Sequence, residues 1–287
     1  MDLDGEEPCW TLARVARTFI PMLLVTLVCR WLNRQFRDHW VELVGPYKVW
    51  RAANLSVSLI HSFVSGCWAV AVFASDPQLF FDMDRHTSSG TRMLVLTLGY
   101  LIYDTLDNVF NEWTFRSAEI LSHHAFCLVA FFVAVVYGRF VGYACFGLLM
   151  EVNSVTLHAR TLWLIAGAAA ASTTKSQSNG AVAAVERGGG ATLASTTNSS
   201  FFRWLSLVNL ITLLPFRLLI SVYMALYVWL MSEGVPPLYI YIGVYGSAFL
   251  SIMNVALFYR LMKADGYIGR ASEVAPATVP EEKKKVT

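Results

Sequence analysis

Seven stretches of this chain are long and apolar enough to cross a lipid bilayer, and nothing else in the sequence restricts the fold as much. They run 12–30, 54–74, 92–110, 121–138, 140–165, 201–231 and 237–261. A spanning helix needs about 20 mostly apolar residues. Lipid offers no partner to backbone N–H and C=O groups, and a helix satisfies its own. The expected fold class is therefore all-α, a polytopic membrane protein of about seven transmembrane helices.

Composition agrees. Hydrophobic residues make up 56% of the chain, while Asp, Glu, Lys and Arg make up 15%; soluble domains average about 25% charged. A soluble core of this size could not hide so much apolar surface. The net charge of +2 carries no nucleic-acid footprint, so membrane lipids are the expected partners, and a homo- or hetero-oligomer is left open. The cysteines, Cys9, Cys29, Cys67, Cys127 and Cys145, form no C-x-x-C pair, and four sit in apolar runs. They read as inert buried thiols.

The first run carries Arg14 and Arg17 but lacks a small-residue cleavage site before "CRWLNRQFR", so it reads as a retained span. The fourth and fifth runs meet at "YGRFVGYA", a tight turn with Gly138 and Gly142, and Pro215 predicts a kink in the long sixth run. Residues 166–200 are low-complexity Ala, Ser, Thr and Gly, and are expected to form a disordered loop. The expected layout is a tail at 1–11, a first helix and basic loop at 12–47, a main domain at 48–262 and a disordered polar tail at 263–287. With the C-terminus in the cytosol, sixteen basic residues fall on the cytosolic side and five on the other, with Arg217 inside a span. That bias puts the N-terminus outside. The final Lys284-Lys285-Val286-Thr287 has the form of a cytosolic dilysine retrieval signal, which favours the endoplasmic reticulum; the plasma membrane is the other choice.

Ionisable groups inside a span are costly and tend to mark function. The second span carries Asn54, Ser58, His61 and Ser65 on one helical face; the third carries Tyr100, Tyr103, Asp104 and Asp107. The fourth opens with His123 and His124. The fifth carries Glu151, Ser154 and His158, the sixth Asn209 and Arg217, the seventh Ser247, Ser251 and Asn254. With the orientation above, the histidines and acids fall in the cytosolic half, where one water-accessible cavity would satisfy them together. Competing structural readings exist: Asn and Ser as helix–helix glue, Asp104, Glu151 and Arg217 as a buried ion network, and His158, beside Arg160, as the cap of its span. The adjacent His123 and His124 point about 100° apart, so one packing contact rarely uses both. The six histidines include no H-x-x-x-H or H-x-x-H-H spacing; no di-iron site or other bound metal or cofactor is expected.

Five pieces, in order, resemble the TLC-domain family, the membrane fold shared by ceramide synthases and translocating-chain-associated membrane proteins. They are "NLSVSLIHSFVSG", "GYLIYDTLDNV", "LSHHAF", "LLMEVNSVTLHAR" and "LPFR", within residues 48–262. The first two are most similar to the small TLC-only branch linked to membrane phospholipid composition and fluidity. The resemblance implies a ring of helices around a lipid cavity. It implies acyl-CoA as co-substrate and His123 and His124 as the acyl-transfer residues, each able to act as general base or acyl acceptor. Asp104 or Asp107 would then orient an imidazole, and His61, Tyr103, Glu151, Ser154, Asn209 and Arg217 would line the substrate site. "LMEVNS" stands where ceramide synthases carry L-H-D-x-S-D, which speaks against sphingoid-base acylation. Acyl transfer acting on membrane phospholipids, or lipid-binding regulation without catalysis, is the implied activity.

Overall fold

Six of the seven apolar runs each lie in one helix and the fifth in two, and several helices begin before their apolar run because a polar residue caps them earlier. The computed structural model describes residues 12–44, 46–177, 199–231 and 233–268. Their elements are α1 Leu12–Val44, α2 Pro46–Ser75, α3 Ser88–Asn111, α4 Phe115–Tyr137, α5 Val141–Leu148, α6 Glu151–Gln177, α7 Ser200–Leu230 and α8 Pro237–Ala264. A short 3-10 turn, Pro77–Phe80, follows α2; no strand occurs among the described residues. The tail at 1–11, most of the expected loop and the dilysine end lie outside the described residues.

The start of α4 shows how a cap moves a boundary. Thr114 accepts from the Ser117 amide at 3.1 Å while Ser117 Oγ accepts from the Thr114 amide at 2.9 Å, a reciprocal arrangement that satisfies two donors otherwise left open. The helix therefore begins at Phe115 rather than 121. His123 and His124 lie about 12 Å along it, well inside the span rather than at its mouth. α6 runs to Gln177, past the expected end at 165 and into the stretch read as loop, because alanine is the best helix former.

Six helices, α1–α4, α7 and α8, are long and apolar enough to cross a membrane. The expected fifth span is instead two helices in series, α5 and α6, separated by 3-10-type bonds from Leu149 to Phe146 and from Met150 to Gly147. α5 starts where the Tyr143 amide donates to the Met83 carbonyl at 3.0 Å. α6 reaches the opposite end of the bundle, where Arg160 pairs with Asp265. At the break α2 comes very close: a side chain on Gly66 would lie 3.1 Å from the Val152 amide nitrogen. Pro215 produces a π-helical turn, Leu214–Leu219. Proline lacks an N–H and its ring would collide with the carbonyl four residues back; the widened turn absorbs both.

The helices close a ring in the order α2, α3, α4, α8, α7, α6, each packed on the next, with α6 returning to α2. α5 packs on α2, α3, α4 and α7 and fills the end nearest the 76–87 loop. α1 stays outside, held to α3 by Thr26 donating to the Gly99 carbonyl at 2.8 Å and Asn33 donating to the Tyr103 hydroxyl at 2.7 Å. Its other face presents Leu23, Leu24, Leu27, Val28 and Trp31, each more than half exposed, as a lipid-facing surface. Cys29, Cys127 and Cys145 are buried, whereas Cys67 faces outward.

Candidate functional site

The ring encloses a cavity of about 380 Å³. One face of α4 supplies a wall: Arg116, Ile120, His123, Cys127 and Ala130 recur at helical spacing and all line it. The two histidines take different surroundings, as their 100° offset requires. His124 is 7% exposed and turns toward α3, placing Nε2 3.5 Å from Asp104 Oδ2. Its Nδ1 is buried with no hydrogen-bond partner. His123 faces the cavity, with both ring nitrogens 3.8 Å from Cys127 Sγ. Asp104 is 4% exposed and is positioned by Asn54 of α2, which donates to Oδ1 at 2.7 Å.

A second cluster lines the same cavity. His61 of α2 stacks on Tyr100 of α3 at 3.7 Å between ring centroids and 9° between planes. Ser62 donates to Glu151 Oε2 at 2.6 Å. Glu151 is the first residue of α6, where the positive end of the helix dipole favours a carboxylate; the break between α5 and α6 is what creates that terminus in mid-bundle. Arg217, in the π-turn, donates to Asn153 Oδ1 at 2.8 Å, Ser154 Oγ at 2.8 Å and Asn254 Oδ1 at 3.1 Å. All three acceptors are neutral, and no carboxylate of a described residue lies within 4 Å of the guanidinium. The ion network that was one competing reading of Asp104, Glu151 and Arg217 is not formed by direct pairs with Arg217, although all three line the same cavity.

The structure thus brings His61, Asp104, His123, His124, Glu151, Ser154 and Arg217 to one cavity wall or another. Tyr103, Asp107 and Asn209 do not line it. Tyr103 and Asp107 sit on α3 a few tens of degrees away from Tyr100 and Asp104, enough to face α1 and the start of α2. There Trp50 and Asn54 donate to Asp107 Oδ2 at 2.8 and 3.0 Å, and Arg37 pairs with its Oδ1 at 3.4 Å. Asn209 is fully buried between α6 and α7, accepting from Asn153 through both its carbonyl and its side-chain oxygen. His158, read from sequence as a cap, lines the cavity instead, while Arg160 makes the terminal contacts, donating to Ser206 at 3.0 Å and pairing with Asp265. The i, i+3, i+7 spacing of Glu151, Ser154 and His158 was the signal that could have found it. Tyr100, Ser62 and Asn254 also belong to the lining. Among the described residues no group of three or more His, Cys, Asp or Glu side chains is gathered to hold a metal ion.

The far end of the bundle is tied by Asp84 in the 81–87 loop. It accepts both nitrogens of Arg139, at 3.1 and 2.5 Å, and the Phe140 amide at 2.9 Å. Partial burial pushes the Asp84 carboxyl up, but these hydrogen bonds and the guanidinium charge outweigh it and hold the group below the usual carboxylate value. The anchored Phe140 adopts a left-handed backbone conformation, φ 56°.

A helical ring around an interior cavity, in a chain with six helices apolar enough for a bilayer, defines a multi-pass integral membrane protein. Residues 51–263 match the family model described as TLC domain, and the chain belongs to that family. It is 32% identical to "TLC domain-containing protein 2" of Danio rerio over 82% of this chain and 84% of that one. Against the human "TLC domain-containing protein 2" identity is 28% over 79% and 76% of the two chains. Against the human "TLC domain-containing protein 1" it is 34% over 54% and 65%.

Proposed function

We propose that the protein adjusts the acyl-chain composition of membrane phospholipids by histidine-dependent acyl transfer inside the ring, from acyl-CoA, with the cavity open to the cytosol. The observation that carries this reading is His124: a buried imidazole with a carboxylate facing Nε2 and no partner on Nδ1. With the Nε2 proton directed at Asp104, Nδ1 holds a lone pair aimed at nothing in the protein. Once the side chains that cover it shift to admit a substrate, it can take the proton from a lipid hydroxyl as that oxygen attacks the acyl thioester carbonyl. The carbon–sulfur bond then breaks, and the imidazolium returns the proton to the departing thiolate, giving an ester and free CoA thiol. Asp104 positions the imidazole and stabilises its charged form. Arg217 uses three of its five N–H donors on the protein, which leaves two for the oxyanion.

One observation favours a second reading, a lipid-binding regulator without catalysis: the 3.5 Å separation of His124 and Asp104 is longer than a hydrogen bond. The deciding experiment compares phospholipid acyl chains in cells lacking the protein, rescued by wild type, His123→Ala or His124→Ala. Losing a general base or acyl acceptor typically costs at least ~100-fold in rate, so both variants are expected to lose the lipid effect while still accumulating in the membrane. Full rescue by both removes the catalytic reading and leaves the regulator.

A further inference from the structure

At the end of the cavity opposite the Asp84 loop, three arginines from three helices meet. Arg51 of α2, Arg116 of α4 and Arg260 of α8 all line the cavity there. Only two carboxylates accompany them. Glu112 pairs with Arg51 at 3.3 Å, and Glu119 takes both Arg260 nitrogens at 2.8 and 2.6 Å. Arg116 is exposed and makes no hydrogen bond or ion pair to any described residue; it feels the charge of both other arginines, offset in part by Glu112 and Glu119. Gathering guanidiniums with one left over is unfavourable by itself, and the positive end of the α4 dipole adds to the excess. The same α4 face then runs inward, from Arg116 through Ile120 to His123, about 10 Å along the helix, past largely apolar lining.

We infer that this mouth is a phosphate-ester site that seats the head of an anionic amphiphile whose chain lies in the cavity. A guanidinium fork matches phosphate oxygens. A phosphate monoester presents three charged oxygens and close to two negative charges, where a fatty-acid carboxylate presents two oxygens and one charge, so it better matches a mouth with an arginine to spare. The phosphate belongs either to a glycerophospholipid head or to the CoA portion of an acyl-CoA. The inference rests on the cavity being a lipid site, and is independent of what the histidines do.

The test uses the full-length protein purified in an uncharged detergent and three oleoyl probes: monooleoylglycerol, which lacks phosphate, oleoyl lysophosphatidate and oleoyl-CoA. At least one phosphate probe is expected to bind 10-fold or more tighter than monooleoylglycerol, with an advantage that shrinks as salt rises. The probe that gains more identifies the source of the phosphate. Arg116→Ala should erase most of that advantage, Arg116→Lys should keep part of it, and neither should change monooleoylglycerol binding. Arg116 makes no hydrogen bond or ion pair to a described residue, so all variants should melt together. Unchanged phosphate-probe affinity in Arg116→Ala, or equal losses for all three probes, overturns the inference. If monooleoylglycerol binds and phosphate adds nothing, the phosphate site alone falls. If no probe binds the wild-type protein, the reading of the cavity as a lipid site falls with it.

Discussion

Arg217→Ala should lower stability before it reveals anything about activity. The guanidinium joins three helices, holding Asn153 and Ser154 of α6 and Asn254 of α8 to the π-turn of α7. All three acceptors are almost fully buried: Asn153 0%, Asn254 2% and Ser154 4% exposed. Truncation strands each acceptor, at about 1–3 kcal/mol apiece when unsatisfied. Cavity water can replace a donor or two, so the net loss should be about 1–6 kcal/mol, a large share of the ~5–15 kcal/mol that holds a typical fold. At roughly 2–4 °C per kcal/mol for a chain of this size, the melting temperature in detergent should fall by on the order of 10 °C, and membrane abundance should fall with it. Arg217→Lys can reach one or two of the acceptors and should recover only part of the loss. His123→Ala, which removes a ring whose nitrogens make only 3.8 Å contacts, to Cys127 Sγ, should stay within a few degrees of wild type. An Arg217→Ala protein that melts within ~2 °C of wild type would refute the view that this residue ties the ring together.

At the α4–α8 seam, a side chain on Gly246 would run into the Phe126 ring. Gly246→Leu should therefore destabilise by about 1–3 kcal/mol, and adding Phe126→Ala should restore the melt; additive losses would place the two residues apart. The folded Asp84 carboxyl lies below its unfolded value, so the stability it contributes is present above the unfolded pKa and is lost as pH falls through the folded one. Protection of the 81–87 loop from a protease should accordingly weaken in acid below about pH 4, and Asp84→Asn should flatten that dependence. The sequons at Asn54 and Asn198 should both remain unglycosylated, Asn54 because it is buried against Asp104 and Asn198 if its loop is cytosolic; a glycosidase-sensitive band traced to Asn198 would reverse the orientation.

Particular elements show how far sequence reading reached. Helix existence was legible in the apolar runs, because apolar length is a local property that lipid selects directly. Boundaries were less so: α4 starts early through a two-residue capping pair, and α6 continues through alanines whose composition resembled a loop. The break at Leu149–Met150 left no trace in hydropathy, since "FGLLM" is apolar throughout. At Pro215, where a kink was expected, the helix widens into a π-turn that carries Arg217, a form the sequence did not show.

The sequence by itself determined an all-helical chain for a bilayer, the helices that would carry ionisable groups, and the resemblance that the family match bears out. Only the tertiary structure decided which of those groups meet. Rotating α3 by a few tens of degrees separates Asp104, beside His124, from Asp107, beside Trp50 and Arg37. Packing likewise buried Asn209 as a strut, turned His158 inward and left α1 outside the ring. Periodicity defines a polar face but not where it points, because the rotation of a helix about its axis is set by what its neighbours allow. Here that setting came from close approaches such as Gly66 on Val152 and Gly99 on Met22, contacts between residues far apart in the chain.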